Sequence, residues 1–158
     1  MIEFHERFDV PASPERVWQV LADPYAVVGC VPGASIVGQH DDGSFDSSVA
    51  VKFGPTRVTF RARVGLELDE AAHQGRLTAQ GKDNVGGTRM RSAATFGVAP
   101  APGASGSSVA IDGTVEVAGR LASLIEGGAG VVVKRMSGEF AERLAARCAA
   151  GAQTTEAE

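Results

Sequence analysis

Six segments that alternate apolar with polar residues follow one another between residues 34 and 117, and this succession constrains the fold most. They read ASIVGQH, SFDSSVAVKF, TRVTFRARVGLEL, RLTAQGKD, GGTRMRSAATFGVAP and SVAIDGTVEV. Alternation with a period of two is typical of strands that bury one face. The connections, such as DDG and GP, are too short to hold a crossover helix. The segments therefore predict consecutive antiparallel strands in one sheet.

The N-terminal part predicts one more strand and two short helices. IEFHERFDV alternates like the later segments, although Glu6 places a carboxylate on the apolar parity. Ser13 followed by Pro14 is typical of a helix start. The stretch DPYAVVGCVPG, residues 23–33, predicts a second short helix that closes at its VPG end. For Glu6 we weigh two interpretations, an imperfect edge strand and a polar group that faces the interior.

Apolar residues at spacings of three and four predict one long helix from residue 119 to about 149. About 30 helical residues span ~45 Å, so this helix is the only element long enough to cover the sheet. The predicted fold is α+β: a curved antiparallel sheet of about seven strands wrapped round a long C-terminal helix, with two short helices after the first strand. We expect one domain over residues 1–149 and a disordered tail over 150–158.

Charge and cysteine content argue against several function classes. The net charge of −4 argues against nucleic acid as a partner. Cys30 and Cys148 are far apart in sequence, and His5, His40 and His73 are scattered, so we expect neither a metal site nor a catalytic triad. The charged N-terminus is unlike a signal peptide, and no run approaches the ~18 apolar residues of a membrane span. A disulfide between the two cysteines stays open, but we expect a cytoplasmic protein with two reduced thiols.

The apolar parities of the strands and of the long helix face an interior that has two interpretations. The ordinary one is a packed core. The functional one is an apolar pocket for a flat hydrophobic ligand, with few polar groups. The candidate ligand-binding residues on these parities are Phe53, Phe60, Met90, Ser92, Phe96, Ile111, Leu124, Gly128, Val132 and Met136.

Three glycines interrupt the predicted long helix. Gly127, Gly128 and Gly130 each cost ~1 kcal/mol relative to alanine inside a helix. One interpretation is a break between two helices. The other is that the missing side chains widen the interior and allow this segment to move as a gate.

Basic residues are concentrated on the opposite, outward parity of three consecutive strands. One interpretation is a solubilising surface, diluted by nearby acidic residues. The other is a docking surface for an acidic partner or for anionic lipid headgroups. We name this set the basic surface, and it consists of Arg57, Arg61, Arg63, Arg76, Lys82, Arg89 and Arg91.

Four segments resemble those of a known family. They are FDVPASPERVWQVLADPYAVVGCVPG (8–33), VKFGPTRVTFRARV (51–64), GKDNVGGTRM (81–90) and VEVAGRLASLI (115–125). They are similar to the START-like, helix-grip superfamily (the SRPBCC group) and, within it, to the CoxG family of carbon monoxide dehydrogenase subunits. The resemblance covers residues 1 to about 148. Two features depart from the family pattern: the polar C-terminal tail, where several members carry an apolar membrane-binding segment, and the glycine-rich EGGAGVVV.

The resemblance implies a container for a hydrophobic small molecule, with no fixed catalytic set and no cofactor beyond a bound quinone-like ligand. It also implies a molybdenum hydroxylase partner of the carbon monoxide dehydrogenase type and peripheral contact with the inner face of the cell membrane. In such a fold the two short helices hold one end of the long helix. Tyr25, Val28 and Cys30 then become candidate wall residues of the pocket.

Two further functions stay open. Helix-grip proteins include polyketide aromatase/cyclases, in which Glu6, Ser92 and arginines at the pocket mouth would be the reactive groups. Such an enzyme needs two or more titratable groups that converge in the cavity. The third function is an assembly or recruitment factor with a filled core, which docks through the basic surface.

Overall fold

The elements of the described chain are seven strands and three helices. The strands are β1 (Ile2–Val10), β2 (Ala34–Gln39), β3 (Phe45–Phe53), β4 (Thr56–Asp69), β5 (Gln74–Asp83), β6 (Thr88–Pro100) and β7 (Ser107–Gly119). The helices are α1 (Pro14–Leu21), α2 (Pro24–Cys30) and α3 (Ala122–Ala157). The structure, a computed structural model, describes residues 1–84, 87–102 and 106–157, with side chains described as far as residue 150.

The strands form one antiparallel sheet in the order β1-β7-β6-β5-β4-β3-β2. Strands β2 to β7 pair in sequence order, as their short connections predict. β1 instead pairs with β7, with Ile2 opposite Val115 and Val10 opposite Ser107. The chain therefore passes from one sheet edge to the other through α1 and α2. This arrangement confirms the predicted helix-grip fold.

Capping side chains fix where the two short helices begin. The Ser13 Oγ accepts a hydrogen bond from the Arg16 backbone N–H at 3.2 Å. The Asp23 Oδ1 accepts one from the Tyr25 backbone N–H at 3.0 Å. In each case a proline follows the cap in the first turn, where its missing N–H costs nothing.

Two glycines allow the chain to turn where it enters and leaves the sheet. Gly33, which follows α2, has φ +77°, and a Cβ there would collide with the carbonyl oxygen of Ala50. Gly119, at the end of β7, has φ +119°, and a Cβ there would collide with the carbonyl oxygen of Gly87. Left-handed backbone without space for a Cβ admits only glycine at both corners.

The long helix α3 differs from its prediction at both ends. It begins at Ala122, because residues up to Gly119 extend β7. It continues to Ala157, past residue 149, and the alanines, Gln153 and Glu156 of this extension favour a helix although Gly151, Thr154 and Thr155 do not. The assignment of one domain to residues 1–149 stays a prediction. Gly86 of the predicted strand segment GGTRMRSAATFGVAP and Glu158 of the tail lie outside the described residues.

The buried side chains form three clusters around an empty space. The first joins α1, α2 and the C-terminal half of α3, and includes Leu144 at 0% exposure. The second joins the N-terminal half of α3 to β3 and β4 through Ile125, Val132, Phe53 and Phe60. The third lies within β3, β4 and β5. No helix of the described chain has the length and apolarity needed to cross a membrane.

Candidate ligand-binding cavity

A cavity of about 450 Å³ lies between the concave face of the sheet and helix α3. Its volume is within the range of small-molecule sites in proteins. The wall draws on all three buried clusters, so the cavity occupies the centre of the fold.

The cavity wall is almost wholly apolar. Ser47 is the one polar side chain among the described wall residues, and its hydroxyl donates to the backbone carbonyl of Ser35 at 3.0 Å. The wall therefore offers a ligand no charged group and no unpaired polar side chain. Burial of apolar surface is the interaction that it can supply.

Eight of the predicted ligand-binding residues lie in the cavity wall. Their contact with a ligand stays a prediction. The eight are Val28, Phe53, Phe60, Met90, Phe96, Ile111, Val132 and Met136.

The other five predicted residues lie outside the wall. Tyr25 and Leu124 are 57% and 39% exposed, because the outer faces of α2 and α3 carry them. Cys30 is buried in the first cluster, behind the wall. Ser92 is on an inward parity, but its hydroxyl donates to the carbonyl of Thr114 at 3.0 Å. At Gly128 no side chain reaches the cavity.

Sequence reasoning missed most of the small wall residues. Ala62, Ala79 and Ala94 lie on the predicted inward parity, yet small side chains give no signal that the space above them is empty. Their small volume is what leaves room between sheet and helix. The wall residues not predicted as such are Ile2, Leu21, Val27, Val31, Ala34, Phe45, Ser47, Val49, Val51, Ala62, Val64, Leu66, Leu77, Ala79, Ala94, Val115, Val117, Ile125, Ala129, Val133 and Phe140.

The glycine-rich segment does not break α3, so the first interpretation of these glycines is wrong. Gly127 and Gly130 point to open space on the outer face of the helix, so their missing side chains do not widen the interior, and the gate stays a prediction. A Cβ at Gly128 would lie 3.2 Å from Cδ1 of the wall residue Phe53. Gly128 alone of the three therefore adjoins the cavity.

The titratable side chains near the predicted sites do not converge in the cavity. Glu6 is half-buried on the inward parity of β1, opposite Ile111, but it is not a wall residue. On the outer face, hydrogen bonds from His5 at 2.8 Å and Arg7 at 3.0 Å hold the pKa of Asp112 below its ordinary value. Burial raises the pKa of the Cys30 thiol, against the opposing charge of nearby arginines.

Five members of the basic surface form two adjacent rows on the outer face of the sheet. Arg61 lies opposite Lys82, which lies opposite Arg89. In the next row Arg63 and Arg91 flank the intervening strand β5. All five are exposed. Arg61, Lys82 and Arg89 form no ion pair with another described residue.

The two remaining members are less closely grouped. Arg57 lies further along β4, toward the turn that joins it to β3. Arg76 lies opposite Glu67, with one row of uncharged residues between it and Arg63. Arg63 itself pairs with Asp42 at 3.3 Å. The positive charge of the basic surface is therefore most concentrated around Lys82 and least concentrated at Arg76.

The family model for CoxG, a subunit of carbon monoxide dehydrogenase, matches residues 7–149 of the chain. The chain belongs to the CoxG family. This match begins within β1, ends in the C-terminal half of α3, and includes every wall residue except Ile2. A comparison with curated protein sequences gave no match.

Solved structures with the same fold include proteins of several bacterial genera. A conserved protein from Geobacillus kaustophilus has a TM-score of 0.79 at 16% identity, over 94% of this chain and 95% of that one. The Zhui aromatase/cyclase from Streptomyces sp. R1128 has a TM-score of 0.60 at 16% identity, over 93% of each chain. A START superfamily protein from Mycobacterium smegmatis has a TM-score of 0.58 at 17% identity, over 92% and 96%. At these identities the likeness is one of fold.

Proposed function

We propose that this CoxG-family protein is a non-enzymatic carrier of a quinone-like lipophilic molecule. The observation that carries the proposal is the central cavity, whose described wall residues are almost wholly apolar and include no titratable group. At ~25 cal/mol per Å², enclosing about 300 Å² of apolar ligand surface supplies ~7.5 kcal/mol before the costs of association. Burial of apolar surface is therefore the main source of affinity that we expect.

The family membership supports a molybdenum hydroxylase of the carbon monoxide dehydrogenase type as the partner. In this role the protein accepts or delivers the lipophilic molecule that exchanges electrons with that enzyme. We assign the basic surface to anionic lipid headgroups, at which a membrane-soluble ligand would be collected. Arginine and lysine side chains without ion-pair partners among the described residues, such as Arg61 and Lys82, are available for that contact.

An aromatase/cyclase activity is the second candidate, because the Streptomyces enzyme shares the fold. That chemistry needs polar groups within reach of the substrate. The hydroxyl of Ser47 is already bonded to a backbone carbonyl, and both Glu6 and Ser92 lie outside the wall. The carrier function requires none of these groups, so the cavity supports it better. The third candidate, an assembly factor with a filled core, does not account for the central cavity.

The single tryptophan provides a direct assay of the carrier function. Trp18 is 6% exposed, and its ring centroid lies 6.1 Å from that of the wall residue Phe96. A quinone inside the cavity should quench Trp18 fluorescence. Menadione is a suitable probe, and native mass spectrometry of the purified protein shows what it carries from the cell.

A pair of variants on one strand tests whether the cavity is the binding site. Ala94 lies in the wall, and Ala93 occupies the opposite face of β6. We expect Ala94→Phe to fill the cavity and raise the Kd for menadione about tenfold or more. Ala93→Phe, the matched control, should leave the Kd unchanged. Equal affinities in both variants would contradict the proposal.

A further inference from the structure

The chain contains two cysteines, and the fold brings them into the same buried cluster. Cys30 is the last residue of α2, and Cys148 lies in the C-terminal part of α3. Each is 1% exposed. The sequence places them far apart, and nothing in the proposed carrier function uses either thiol.

Contacts between their neighbours in sequence show that the two helices meet at this point. A Cβ at Gly29 would lie 3.4 Å from the Arg147 guanidinium. The Arg16 guanidinium on α1 donates to the backbone carbonyl of Cys148 at 3.3 Å and to that of Arg147 at 3.2 Å. Packing thus holds α2 against α3 at the two cysteines, and hydrogen bonds hold α1 to the part of α3 that carries Cys148.

The charges around the thiols act in opposite directions. Burial raises the pKa of both thiols. The guanidiniums of Arg147 and Arg143 oppose this for Cys30, and that of Arg16 opposes it for Cys148. The charge of Cys30 also raises the pKa of Cys148, which agrees with their proximity. Reaction of either thiol therefore requires a local opening that exposes it to solvent, where its pKa returns toward the ordinary value.

We propose that Cys30 and Cys148 are a modification site, a dithiol that oxidises to a disulfide linking α2 to the C-terminal part of α3. The chain has two cysteines and both lie in one buried cluster, so each is the resolving thiol available to the other. This inference does not rest on the carrier function, because it concerns the packing of two helices rather than the contents of the cavity.

The oxidant is a small disulfide such as oxidised glutathione. One cysteine thiolate attacks a sulfur of oxidised glutathione, the sulfur–sulfur bond of that molecule breaks, and one glutathione thiolate leaves. The second cysteine thiolate then attacks the cysteine sulfur of the mixed disulfide and releases the second glutathione. The two protons lost by the cysteines are taken up by the two glutathiones. Two thiols are oxidised and one disulfide is reduced.

The disulfide would fix the position of α2, which forms one end of the cavity wall. α2 supplies the wall residues Val27 and Val28, so linking it to α3 prevents that part of the wall from moving away. The bond closes a loop that contains β2 to β7, which is long enough to restrict the unfolded chain strongly. We expect the oxidised protein to melt about 10 °C above the reduced protein.

The test is equilibration of the folded wild-type protein with oxidised glutathione, followed by mass spectrometry without reduction. We expect the intact mass to fall by two hydrogens and the tryptic peptides 17–52 and 148–158 to be joined. Cys148→Ser, the control, should carry at most one glutathione and no joined peptides. The melting temperatures of oxidised and reduced wild-type protein give a second measurement that needs no variant.

Three results would overturn the proposal. The first is a glutathione adduct on each cysteine of the wild-type protein. The second is a pair of thiols that stays free in the folded state and joins only in denaturant. The third is a joined form that melts no higher than the reduced form, because a strained bond would not be compatible with the native packing.

Discussion

At the scale of single residues, the space beside a glycine differs between the sheet and α3. Gly81 lies where β5 pairs closely with β4, and a Cβ there would collide with the carbonyl oxygen of Arg61 and lie 2.7 Å from Cα of Ala62. Gly127 has nothing within 4 Å of the position of a Cβ. The local environment, rather than the residue type, decides what each substitution does.

We therefore predict that Gly81→Ala and Gly127→Ala change stability in opposite directions. Gly81→Ala should lower the free energy of unfolding by about 1–3 kcal/mol, because the backbone must shift to admit the methyl group. Gly127→Ala should raise it by about 1 kcal/mol through helix propensity. Urea denaturation of both variants measures the two effects. A change of the same sign in both would contradict the account.

The face of the sheet on which each strand residue lies could be predicted from the sequence. Whether an inward residue contacts the cavity or another strand could not. Ser92 faces inward as predicted, yet its hydroxyl bonds to the carbonyl of Thr114, a partner on the neighbouring strand. The family resemblance implies that Tyr25 is part of the wall, and α2 instead turns it outward. Both outcomes depend on how elements pack, which local alternation does not encode.

At the scale of elements, the start of α3 depends on a side chain from the sheet. Thr88, the first residue of β6, is 0% exposed, and its Oγ1 accepts a hydrogen bond from the Leu121 backbone N–H at 2.9 Å. Leu121 directly precedes α3, and its carbonyl accepts the first helical hydrogen bond from the Ile125 N–H at 3.0 Å, so the bond to Thr88 fixes the residue from which the helix starts. It also positions Ile125, a wall residue of the cavity.

Thr88→Val should destabilise this helix start. Valine has the shape of threonine but no acceptor, so the Leu121 N–H loses its partner in a part-buried position, at a cost of about 1 kcal/mol. Thr95→Val, an exposed position on the same strand, is the matched control and should change little. Hydrogen exchange at the first amides of α3 measures the effect. Equal protection in Thr88→Val and wild type would show that the bond is not needed.

The sequence could predict α3 but could not decide whether its glycines break it. Their summed propensity cost of ~3 kcal/mol is a local quantity. The burial of Ile125 and Val132 against β3 and β4, on either side of these glycines, offsets that cost and exists only in the folded molecule. The pairing of β1 with β7 is likewise a tertiary feature, which the alternation of the strands does not encode.

At the scale of the whole molecule, charge is distributed unevenly over a protein with a net charge of −4. The two rows around Lys82 gather five exposed cations on one face of the sheet. The remaining surface must therefore be more acidic than the average. An anionic membrane would attract the face that carries these cations and repel the remaining, more acidic surface. The protein would then have one preferred orientation at the lipid surface.

A charge reversal at each of two positions of β5 tests the assignment of this surface. We predict that the wild-type protein co-sediments at low salt with vesicles that contain phosphatidylglycerol, and not with pure phosphatidylcholine vesicles. Each unit charge at such a surface contributes ~1 kcal/mol, so Lys82→Glu, which changes the charge by two units, should weaken binding about 30-fold. Arg76→Glu makes the same charge change on the same strand, but beside Glu67 and outside the two dense rows. It should therefore lose less affinity than Lys82→Glu.

Equal losses of affinity in both variants would mean that net charge governs binding. Absence of binding to either kind of vesicle would leave the basic surface to an acidic protein partner.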